Sequence, residues 1–521
     1  MIKQPGIQRI ALIDVGSNTV RLVIFNIDSN AYYDISEMQN IKVSARLVQY
    51  LENARMNEKG INILTHLIDS YLKIIDQYDV DQIIPVATAA VRNSENAADI
   101  IAHVKEETGL ALRILSEEEE AFYGNYAVRY SFNIYDGISV DIGGGSTEVT
   151  LFKNKEIVNS HSFPFGAVSL KRQFFTGKEH SDPQAITDTM KWVKKQFKKV
   201  DWLAKANVPI LAIGGSARNI AEVYQLRTDY PLAGTHGFPM TPELLDDVLN
   251  IFVQTSYDKL DSLDGLSQDR KDTIISAGIV FKQLMDVAKS SKFILSRRGL
   301  REGLIMHYLN EHSNNPYDLY AVPQQQVIRL TAQYGIQERA TNQRITIADM
   351  LLVQLEENGL LKTDIQHMEL MYYGATLYNL GSFIENDSSS QHTFYVISNT
   401  NIHGFDHYDR ARLALLASYK NRSLYKQYLD DLSNWFSDDE IDTLLKLGSI
   451  IKFAEALNDS HVNTIEGLTL KKNKKAGYDL VISYKGLIIS EKFQAEKQRN
   501  HFERAVGDSV NIVFQDVDSR S

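Results

Sequence analysis

The sequence predicts an α/β protein built from two related halves, followed by an all-helical region and a small α+β tail. Three observations predict this architecture. A strand–turn–strand unit, DVGSNT followed by VRLVIF from residue 14, recurs as DIGGGS followed by TEVTLF from residue 141, about 127 residues later. Strand and helix patterns alternate up to about residue 310, and amphipathic helix patterns dominate after it.

Each repeated unit predicts a β-hairpin whose tip carries Asp, Gly and small polar residues. Two such hairpins predict two related half-domains that face each other. The remaining patterns of this part predict strands at 81–87, 113–115, 209–213 and 292–295, and helices at 95–108, 117–130, 190–203, 217–225, 272–288 and 300–309.

A polar, turn-rich stretch from 311 to 323 predicts a linker. Nearly every segment from 324 to 456 has helical periodicity. In the tail, the alternating runs YDLVIS, GLIIS and VNIVF predict strands, and 491–506 predicts a helix. The predicted domains are therefore 1–130, 131–310, 320–463 and 464–521.

The amino-acid composition excludes several classes of protein and of binding site. The chain has 521 residues, of which 44% are hydrophobic and 23% charged, as in globular proteins of several domains. The lack of cysteine excludes disulfides, thiolate zinc sites and a cysteine nucleophile. A formal net charge of −11 argues against non-specific nucleic-acid binding. With no signal-peptide pattern and no apolar run of about 18 residues, we expect a cytoplasmic protein without a membrane span.

Three glycine turns are candidate phosphate-binding loops, because main-chain N–H groups can converge on an anion where no Cβ blocks the approach. The third turn lies at a strand-to-helix junction, where a helix N-terminus also attracts phosphate. A tight β-turn or close helix packing explains each turn taken alone, and the repetition favours phosphate binding. The candidate residues are Gly16, Ser17, Asn18 and Thr19; Gly143, Gly144, Gly145, Ser146 and Thr147; and Gly214, Gly215 and Ser216.

Acidic residues next to these turns indicate a metal. Asp14 and Asp141 precede the first two turns, and a carboxylate repels phosphate unless a divalent cation bridges them. Mg²⁺ or another divalent cation is therefore the expected cofactor. Glu148 follows the second turn, and one glutamate of the run 117–120 would complete a pair that activates water and holds the metal. Helix-dipole stabilisation and solvation account for the other three glutamates of that run.

Arg92 follows a predicted strand, at a turn into a helix. A guanidinium there could clamp a phosphate through two hydrogen bonds and offset charge in the transition state. From its position alone, a surface salt bridge explains Arg92 equally well.

The segments that carry these residues resemble a known family. IALIDVGSNTVRLVIF, PVATAAVRN, SEEEEA, DIGGGSTEV, AIGGSARN and GLREGLI are similar in order and spacing to the motifs of the Ppx/GppA phosphatases, over roughly residues 8–306. That family contains exopolyphosphatases and guanosine pentaphosphate phosphohydrolases, within the superfamily of actin-like proteins, sugar kinases and heat-shock ATPases. The resemblance implies two actin-like domains whose three glycine turns converge in a cleft.

The resemblance also implies roles. Glu120 corresponds to the catalytic general base, Glu148 to the second catalytic glutamate, and Arg92 to a phosphate-contacting arginine. Asp141 and Glu148 would hold Mg²⁺, and Asp14 corresponds to the aspartate of the first loop. The implied reaction is in-line attack of water on a terminal phosphorus. A homodimer is implied by the resemblance alone.

Longer members of the family carry an HD-type helical domain, which residues 320–460 resemble. The metal-binding His-Asp dyad of that domain is replaced here by Tyr378-Asn379. No histidine stands near residues 342–343, where the upstream ligand would fall. His392 remains, and a packing or substrate role is favoured over ligation. The resemblance therefore implies that the HD metal chemistry is lost, and that this domain binds substrate or builds a dimer.

Lysines at 471, 472, 474 and 475 form a basic cluster in the tail. Such a cluster could contact polyphosphate, but charge runs are more often solvated loops. The functional reading and the solvated-loop reading both stay open from the sequence.

Four functions are consistent with these residues. The first is an exopolyphosphatase acting on inorganic polyphosphate, which the extended helical half favours because a long substrate needs a long groove. The second is a guanosine pentaphosphate 5′-phosphohydrolase, which uses the same chemistry on a nucleotide. The third is a non-catalytic sensor of polyphosphate or the alarmone, and retention of a water-activating pair argues against it. The fourth is an ATPase or sugar kinase of the same superfamily.

Overall fold

The structure is a computed structural model that describes residues 6–28, 34–312, 316–432, 434–473 and 477–518. The chain forms two compact units. Unit 1 contains Met1–Thr228 and Thr235–Val322, and unit 2 contains Asp229–Gly234 and Pro323–Ser521. In the described part of the chain, no helix has the length and apolarity needed to cross a bilayer.

Unit 1 begins with lobe I, which is built on a five-stranded sheet in the order β3-β2-β1-β6-β7. Strands β1, β2 and β3 pair antiparallel, and β6 and β7 continue the sheet in parallel to β1. The elements of lobe I are β1 (Ile7–Val15), β2 (Val20–Asp28), β3 (Asp34–Val43), β4 (Leu51–Glu52), β5 (Arg55–Met56), α1 (Glu58–Ile75), β6 (Gln82–Ala87), α2 (Ala89–Arg92), α3 (Ala97–Thr108), β7 (Arg113–Ile114) and α4 (Glu117–Arg129).

Lobe II repeats this design around a six-stranded sheet in the order β10-β9-β8-β11-β13-β12. A three-stranded antiparallel ladder is again continued by two parallel strands, β11 and β13, and β12 ends the sheet antiparallel to β13. Its elements are β8 (Gly137–Ile142), β9 (Thr147–Lys153), β10 (Glu156–Phe163), α5 (Ala167–Phe174), α6 (Pro183–Phe197), β11 (Ile210–Ile213), α7 (Gly215–Arg227), β12 (Pro239–Met240), α8 (Pro242–Gln254), α9 (Ile274–Ala288) and β13 (Phe293–Leu295).

The first sheet is covered on both faces, because successive residues of β1 point to opposite sides. Ala11 and Ile13 contribute to a core with α1 and α3. Ile10 and Leu12 contribute to a second core on the other face, which includes residues of α10 (Leu300–His312). Helix α10 therefore follows lobe II in the chain but packs on the sheet of lobe I.

Unit 2 contains the remaining elements, and one hydrophobic core joins its helices to its tail. The tail sheet has three strands in the order β14-β15-β16. The elements are α11 (Val322–Gln333), α12 (Glu338–Glu357), α13 (Ile365–Thr376), α14 (Ser389–Asn399), α15 (His407–Ala417), α16 (Arg422–Asp430), α17 (Asp438–Ala456), β14 (Ile465–Lys472), β15 (Tyr478–Tyr484), α18 (Ile489–Val506) and β16 (Val510–Asp516). Short 3₁₀ helices occur at Leu47–Tyr50, Leu203–Lys205, Tyr257–Ser262 and Leu380–Phe383.

Two predicted elements differ from the structure. The helix predicted at 190–203 is α6, which begins seven residues earlier because Asp182 caps it, accepting a hydrogen bond from Ala185 N, and Pro183 occupies its first turn. The GLIIS run was predicted as a strand but leads into α18. Its alternation is real, with Ile488 buried and Leu487 and Ile489 exposed, yet no strand pairs with it. The four predicted domain boundaries stay predictions.

Candidate active site

The tips of the two repeated hairpins have the same backbone hydrogen bond. Gly16 N donates to Thr19 O at 3.0 Å in the β1–β2 hairpin, and Gly143 N donates to Ser146 O at 2.9 Å in the β8–β9 hairpin. Both strands of each hairpin are paired up to this turn, Val15 with Val20 and Ile142 with Thr147. The repeat seen in the sequence is therefore a repeat of backbone geometry.

The first tip is held through its carbonyl groups by the segment that follows β3. Arg46 N donates to Asn18 O at 2.8 Å, and Val48 N donates to Ser17 O at 3.1 Å. Among the described residues, the N–H groups of Ser17 and Asn18 have no acceptor. Unpaired N–H groups at a turn of this kind are able to bind an anion.

The second tip is held in the same way by the N-terminus of α5. Ala167 N donates to Gly143 O at 3.0 Å, and the next two residues of α5 donate to Gly144 O at 3.0 Å. The approach is so close that a Cβ on Gly166 would lie 2.4 Å from Gly143 O, so only glycine fits there. Within the described chain, the N–H groups of Gly144 and Gly145 have no acceptor, as in the first tip.

The third turn lies beside the second tip. Gly214 precedes α7 with a φ of 97°, and a Cβ at this position would lie 3.1 Å from Asp141 Oδ1. A Cβ on Gly215 would lie 3.1 Å from Arg270 Nη2. The N-terminus of α7 therefore adjoins the Asp141 carboxylate, and Ser216 is buried in its first turn. The structure brings the second and third predicted turns together.

Glu148 lies directly opposite Asp141 in the β8–β9 ladder, so the two carboxylates share one face of the hairpin. Ser162 Oγ donates to Glu148 Oε1 at 3.2 Å. Burial, followed by the nearby carboxylates of Asp141 and Glu120, raises the pKa of Glu148 to about 7. Thr147, which was predicted with the loop, is fully buried and donates its hydroxyl proton to Phe165 O at 2.7 Å, so its side chain supports the loop from behind.

Glu120 is the member of the acidic run that turns inward. Ser116 and Glu119 form a capping box at the start of α4, and Glu119 also pairs with Arg113. Glu118 is exposed to solvent. Glu120 is partly buried, and burial raises its pKa while the ion pair with Arg92 opposes that rise.

Arg92 fixes the position of Glu120. Its Nη1 hydrogen-bonds to Glu120 Oε2 and donates to Leu115 O at 2.9 Å. Its Nη2 lies 3.7 Å from Glu117 Oε1. Arg92 is therefore a largely buried ion-pair partner of the candidate base, and its contact with phosphate stays a prediction.

Four carboxylates from both lobes are within electrostatic reach of one another. Burial raises the pKa of Asp14 and of Asp141, and neighbouring arginines oppose the rise in both cases. Asp141 and Asp14 also raise the pKa of Glu120, and Asp141 and Glu120 raise that of Glu148. The four predicted acidic residues therefore form one group in unit 1.

The sequence reasoning missed a set of arginines at the same place. Arg301 Nη1 lies 3.6 Å from Asp14 Oδ2, and Arg270 and Arg301 both act on the Asp141 carboxyl. Burial and the nearby Arg301 lower the pKa of Arg21. Burial, followed by Arg297 and with a further contribution from Arg301, lowers the pKa of Arg218.

Arg21 has the most direct sequence signal among these arginines, because it lies in the repeated hairpin unit. Arg21 pairs with Asp14 in the β1–β2 ladder, as Glu148 pairs with Asp141 in the β8–β9 ladder. Aligning the two repeats places Arg21 at the position equivalent to Glu148. Arg218 and Arg301 lie in the AIGGSARN and GLREGLI motifs, which do not by themselves show that the two arginines meet, and Arg270 lies outside the quoted motifs.

The donor set fits a divalent cation that keeps water and substrate as ligands. In the described part of the chain, no three His, Cys, Asp or Glu side chains are grouped to hold a metal by themselves. Mg²⁺ is commonly bound by one or two carboxylates, with water and phosphate oxygens completing its six ligands. Asp141 and Glu148 are adjacent and supply such a pair, while Asp14 lies within electrostatic reach. Positive charge there would also offset the repulsion that raises the pKa values of these acids.

The arrangement can therefore hold a chain of phosphoryl groups and activate water beside it. The N–H groups of two turns and the arginines are anion donors. Glu120 is a carboxylate with a raised pKa held in one rotamer by Arg92, as a general base requires. The groups that can bind an anion and the carboxylates therefore lie in the same region of unit 1.

In unit 2, the residues at the predicted HD dyad are engaged in structural contacts. Tyr378 is buried and donates to Tyr419 O at 3.1 Å, and Asn379 adopts a φ of 61°. His392 packs beside Gly381. Lys471 and Lys472 end strand β14, and positions 474 and 475 lie outside the described residues.

The profile of the Ppx/GppA phosphatase family matches residues 23–312, and the profile of Ppx/GppA phosphatase domain III matches residues 322–491. A bifunctional 3-dehydroquinate synthase/phosphatase from Fusobacterium nucleatum is 29% identical over 308 residues, which are 57% of this chain and 46% of that protein. Exopolyphosphatase 1 from Mycobacterium tuberculosis is 27% identical over 321 residues, 59% of this chain and 90% of that protein.

Solved structures agree with the fold. A crystal structure of a Ppx/GppA family member from Aquifex aeolicus is 28% identical, covers 59% of this chain and 100% of that one, and has a TM-score of 0.53. An exopolyphosphatase structure from Cytophaga hutchinsonii shares the fold at 19% identity, covering 59% of this chain and 99% of that one, with a TM-score of 0.52. The predicted fold class, two actin-like α/β halves and a helical C-terminal region, is confirmed.

Proposed function

Because the chain belongs to the Ppx/GppA phosphatase family, we propose that it is an exopolyphosphatase, which releases orthophosphate from the end of inorganic polyphosphate. The observation that carries this proposal is the charge array in unit 1. Arginines and open N–H groups line the same region as Glu120, Asp141 and Glu148. A linear phosphate polymer offers repeated anionic oxygens to such an array and needs no pocket for a base or sugar.

Glu120 takes the proton of the attacking water. Arg92 holds the Glu120 carboxylate in place through Nη1, so the base is oriented before substrate arrives. Asp141 and Glu148 are the residues that would hold Mg²⁺. When bound, the cation would polarise the terminal phosphoryl group and neutralise part of its charge.

The glycine turns and arginines bind the phosphate chain. N–H groups of the two hairpin tips and the N-terminus of α7 donate to phosphoryl oxygens. As water bonds to the terminal phosphorus, the anhydride P–O bond to the next phosphoryl group breaks. Arg21 and Arg301 offset the charge on the shortened chain that leaves. Because the fold already orients these donors, they need little reorganisation during the reaction. They therefore stabilise the transition state more than water molecules would.

The test is orthophosphate release by the full chain with Mg²⁺, from long-chain polyphosphate and from guanosine pentaphosphate. The Glu120→Gln enzyme should lose about 10²- to 10⁴-fold in kcat, as expected for removal of a general base. Glu118→Gln is the matched control, because Glu118 lies on the same helix turn and is exposed. Release should also stop when the divalent cation is chelated.

Each outcome has one meaning. Faster release from polyphosphate, lost in Glu120→Gln and kept in Glu118→Gln, supports the proposal. Faster release from guanosine pentaphosphate would assign the chain to the alarmone branch of the family. Tight binding of either compound without release would make it a sensor.

A further inference from the structure

Four buried side-chain oxygens of unit 2 belong to one short stretch of chain and the helix beside it. They are Asn458 Oδ1, Asn463 Oδ1, Thr464 Oγ1 and Glu491 Oε2, and none of them has a hydrogen-bond partner among the described residues. The first three lie in residues 458–464, which connect α17 to β14 and which we call the α17–β14 loop. Glu491 lies in the first turn of α18.

The two asparagines of this loop are oriented by α12. Asn458 Nδ2 donates to Ala340 O at 3.3 Å, and Asn463 Nδ2 donates to Arg339 O at 3.1 Å. Carbonyl groups of consecutive residues in one helix therefore accept from the two side chains, which brings the two amides close together. Because each nitrogen faces α12, each oxygen points away from α12 and toward the loop.

Glu491 is held at the middle of the same loop. Ser460 N donates to Glu491 Oε1 at 2.9 Å, and Ser460 Oγ donates to the same oxygen. Both bonds use Oε1, so Oε2 remains open beside the loop. Asn458 and Glu491 are each 1% exposed, and Thr464 is also buried. Bulk water therefore does not reach these open oxygens.

The Glu491 carboxylate is buried without a positively charged partner. In the described part of the chain, no Lys, Arg or His side chain forms an ion pair with it. Two basic side chains of this region are paired with another acid, since Arg344 binds Glu455 at 2.7 Å and His461 lies 3.7 Å from Glu455. A buried carboxylate without a counter-charge costs free energy, as does a buried oxygen without a donor. One bound cation would remove both costs.

We propose that the α17–β14 loop and Glu491 form a cation site, and that Ca²⁺ is the ion that fits it. Ca²⁺ binds about six to eight oxygens and accepts amide and backbone carbonyl oxygens and water beside a carboxylate. Mg²⁺ keeps several of its water ligands and demands a near-ideal octahedron, so a set made mostly of neutral protein oxygens suits it less. Because only Glu491 carries a charge, binding should be weak, with a Kd of about 10⁻⁴ to 10⁻³ M.

The bound ion would hold the start of α18 against the connection from α17 to β14. It would thereby fasten the tail sheet to the helices of unit 2. The site takes no part in a reaction, so this inference does not rest on the proposed function, and its test does not measure activity.

The experiment is amide hydrogen exchange of the full chain, followed by mass spectrometry of the peptides that contain residues 458–464. MgCl₂ is present in excess in every sample, so that Mg²⁺ competes for the acids of unit 1, and CaCl₂ is added at about ten times the Kd. Exchange in the loop should slow by about tenfold, because the loop then opens only after the ion leaves. The readout is local, so Ca²⁺ bound in unit 1 does not affect it.

Two variants each remove one feature of the site. Thr464→Val keeps the shape of the side chain and removes the hydroxyl, while Glu491→Gln keeps an acceptor for Ser460 N–H and removes the charge. Both should lose the calcium-dependent slowing, and Thr464→Ser should keep it. Ser398→Ala is the control for the hydroxyl, because Ser398 Oγ is another buried hydroxyl of unit 2 with no partner in the described chain. Glu466→Gln is the control for the charge, because Glu466 is exposed on β14.

Slowing by Ca²⁺ that both variants lose and both controls keep supports the proposal. No slowing in the parent, or slowing that persists in Thr464→Val and Glu491→Gln, would overturn it and assign the open oxygens to water or to a protonated Glu491. Equal slowing by MgCl₂ alone, or by KCl of the same ionic strength, would overturn the choice of Ca²⁺. Circular dichroism without Ca²⁺ shows which variants fold, and Glu491→Gln decides the matter if Thr464→Val does not fold.

Discussion

The two hairpin tips of unit 1 have the same backbone and opposite charges at one position. In each, a glycine N–H bonds to the carbonyl three residues later, and neighbouring N–H groups hold the central carbonyls. Asp14 and Asp141 occupy equivalent places. The residue paired with Asp14 is Arg21, and the residue paired with Asp141 is Glu148.

This difference shows that two copies of one backbone unit can carry different charges beside the same turn. Side chains of paired residues in a ladder lie on the same face, so changing one of them alters the charge beside the loop and leaves the backbone as it is. In the function that we propose, Arg21 gives the first tip a cation that binds phosphate. Glu148 gives the second tip a carboxylate that would bind the metal.

The largest expected effect comes from making the second tip resemble the first. Glu148→Arg should lower kcat by about 10³-fold or more, because it removes a carboxylate and adds repulsion toward the metal. Phosphate release from polyphosphate measures this. Glu156→Arg is the control, since Glu156 is exposed on the neighbouring strand of the same sheet. Equal loss of activity in both variants would show that the charge at position 148 has no special role in the second tip.

Removing the charge at the equivalent residue, Arg21, tests the first tip. Arg21→Gln should lower kcat/KM by about 10- to 100-fold, mainly by raising KM, because a charged hydrogen bond to phosphate is lost. Steady-state kinetics over a range of polyphosphate concentrations separates the two constants. Arg55→Gln removes an exposed arginine from the same lobe and should leave both unchanged. A fall in kcat alone would assign Arg21 to the chemical step.

Gly145 in the second tip and Gly166 beside it should distinguish an effect on protein stability from an effect on phosphate binding. Gly166→Ala should cost about 1–3 kcal/mol of unfolding free energy, because its Cβ would meet the backbone of the loop. Gly145→Ala should change stability by about 0.5 kcal/mol or less, because no atom of the described residues lies within 4 Å of the added Cβ, yet raise KM by crowding the phosphate. Urea unfolding measures the stability of both variants, and steady-state kinetics measures their KM values. Equal destabilisation of the two variants would contradict the prediction.

Glu455 in unit 2 differs from the four acidic residues of the candidate site in how its buried charge is balanced. In unit 1, burial and like charges raise the pKa values of the acids. In unit 2, Glu455 is also buried, but Arg344 and His461 outweigh burial and lower its pKa to about 2. The difference lies in the partners of each carboxylate, because Asp409 in unit 2 is also partly buried and burial raises its pKa to about 6.

A separate effect, on stability at low pH, follows from Glu455. Its pKa is lower in the folded chain than in the unfolded chain, so its contribution is complete above about pH 4.5 and is lost as pH falls toward 2. Over that window stability should fall by about 1.4 kcal/mol per pH unit more in the wild type than in Glu455→Gln. Urea unfolding at pH 5, 4 and 3 measures the difference. Parallel curves would show that Arg344 does not stabilise the charged form.

Much of the fold could be predicted because its signals are local. The tips of both hairpins, strand β6 and helix α4 follow from alternation, capping and helical periodicity within a few residues. The same local reasoning was wrong for GLIIS, where the pattern suits a strand but no partner strand is available. It also placed α6 too late, because the capping signal at Asp182 and Pro183 was passed over in favour of periodicity.

The sequence by itself determined the repeat, the three glycine turns and the acidic residues beside them, since each is encoded by a few consecutive residues. Only the tertiary structure decided which acidic residue of 117–120 turns inward, because the cap of α4 and the ion pair with Arg92 set the face that Glu120 occupies. It also decided that Arg21, Arg218, Arg270 and Arg301 meet. Like charges gather in this way only where long-range packing forces separate segments together, and short sequence patterns do not record that packing.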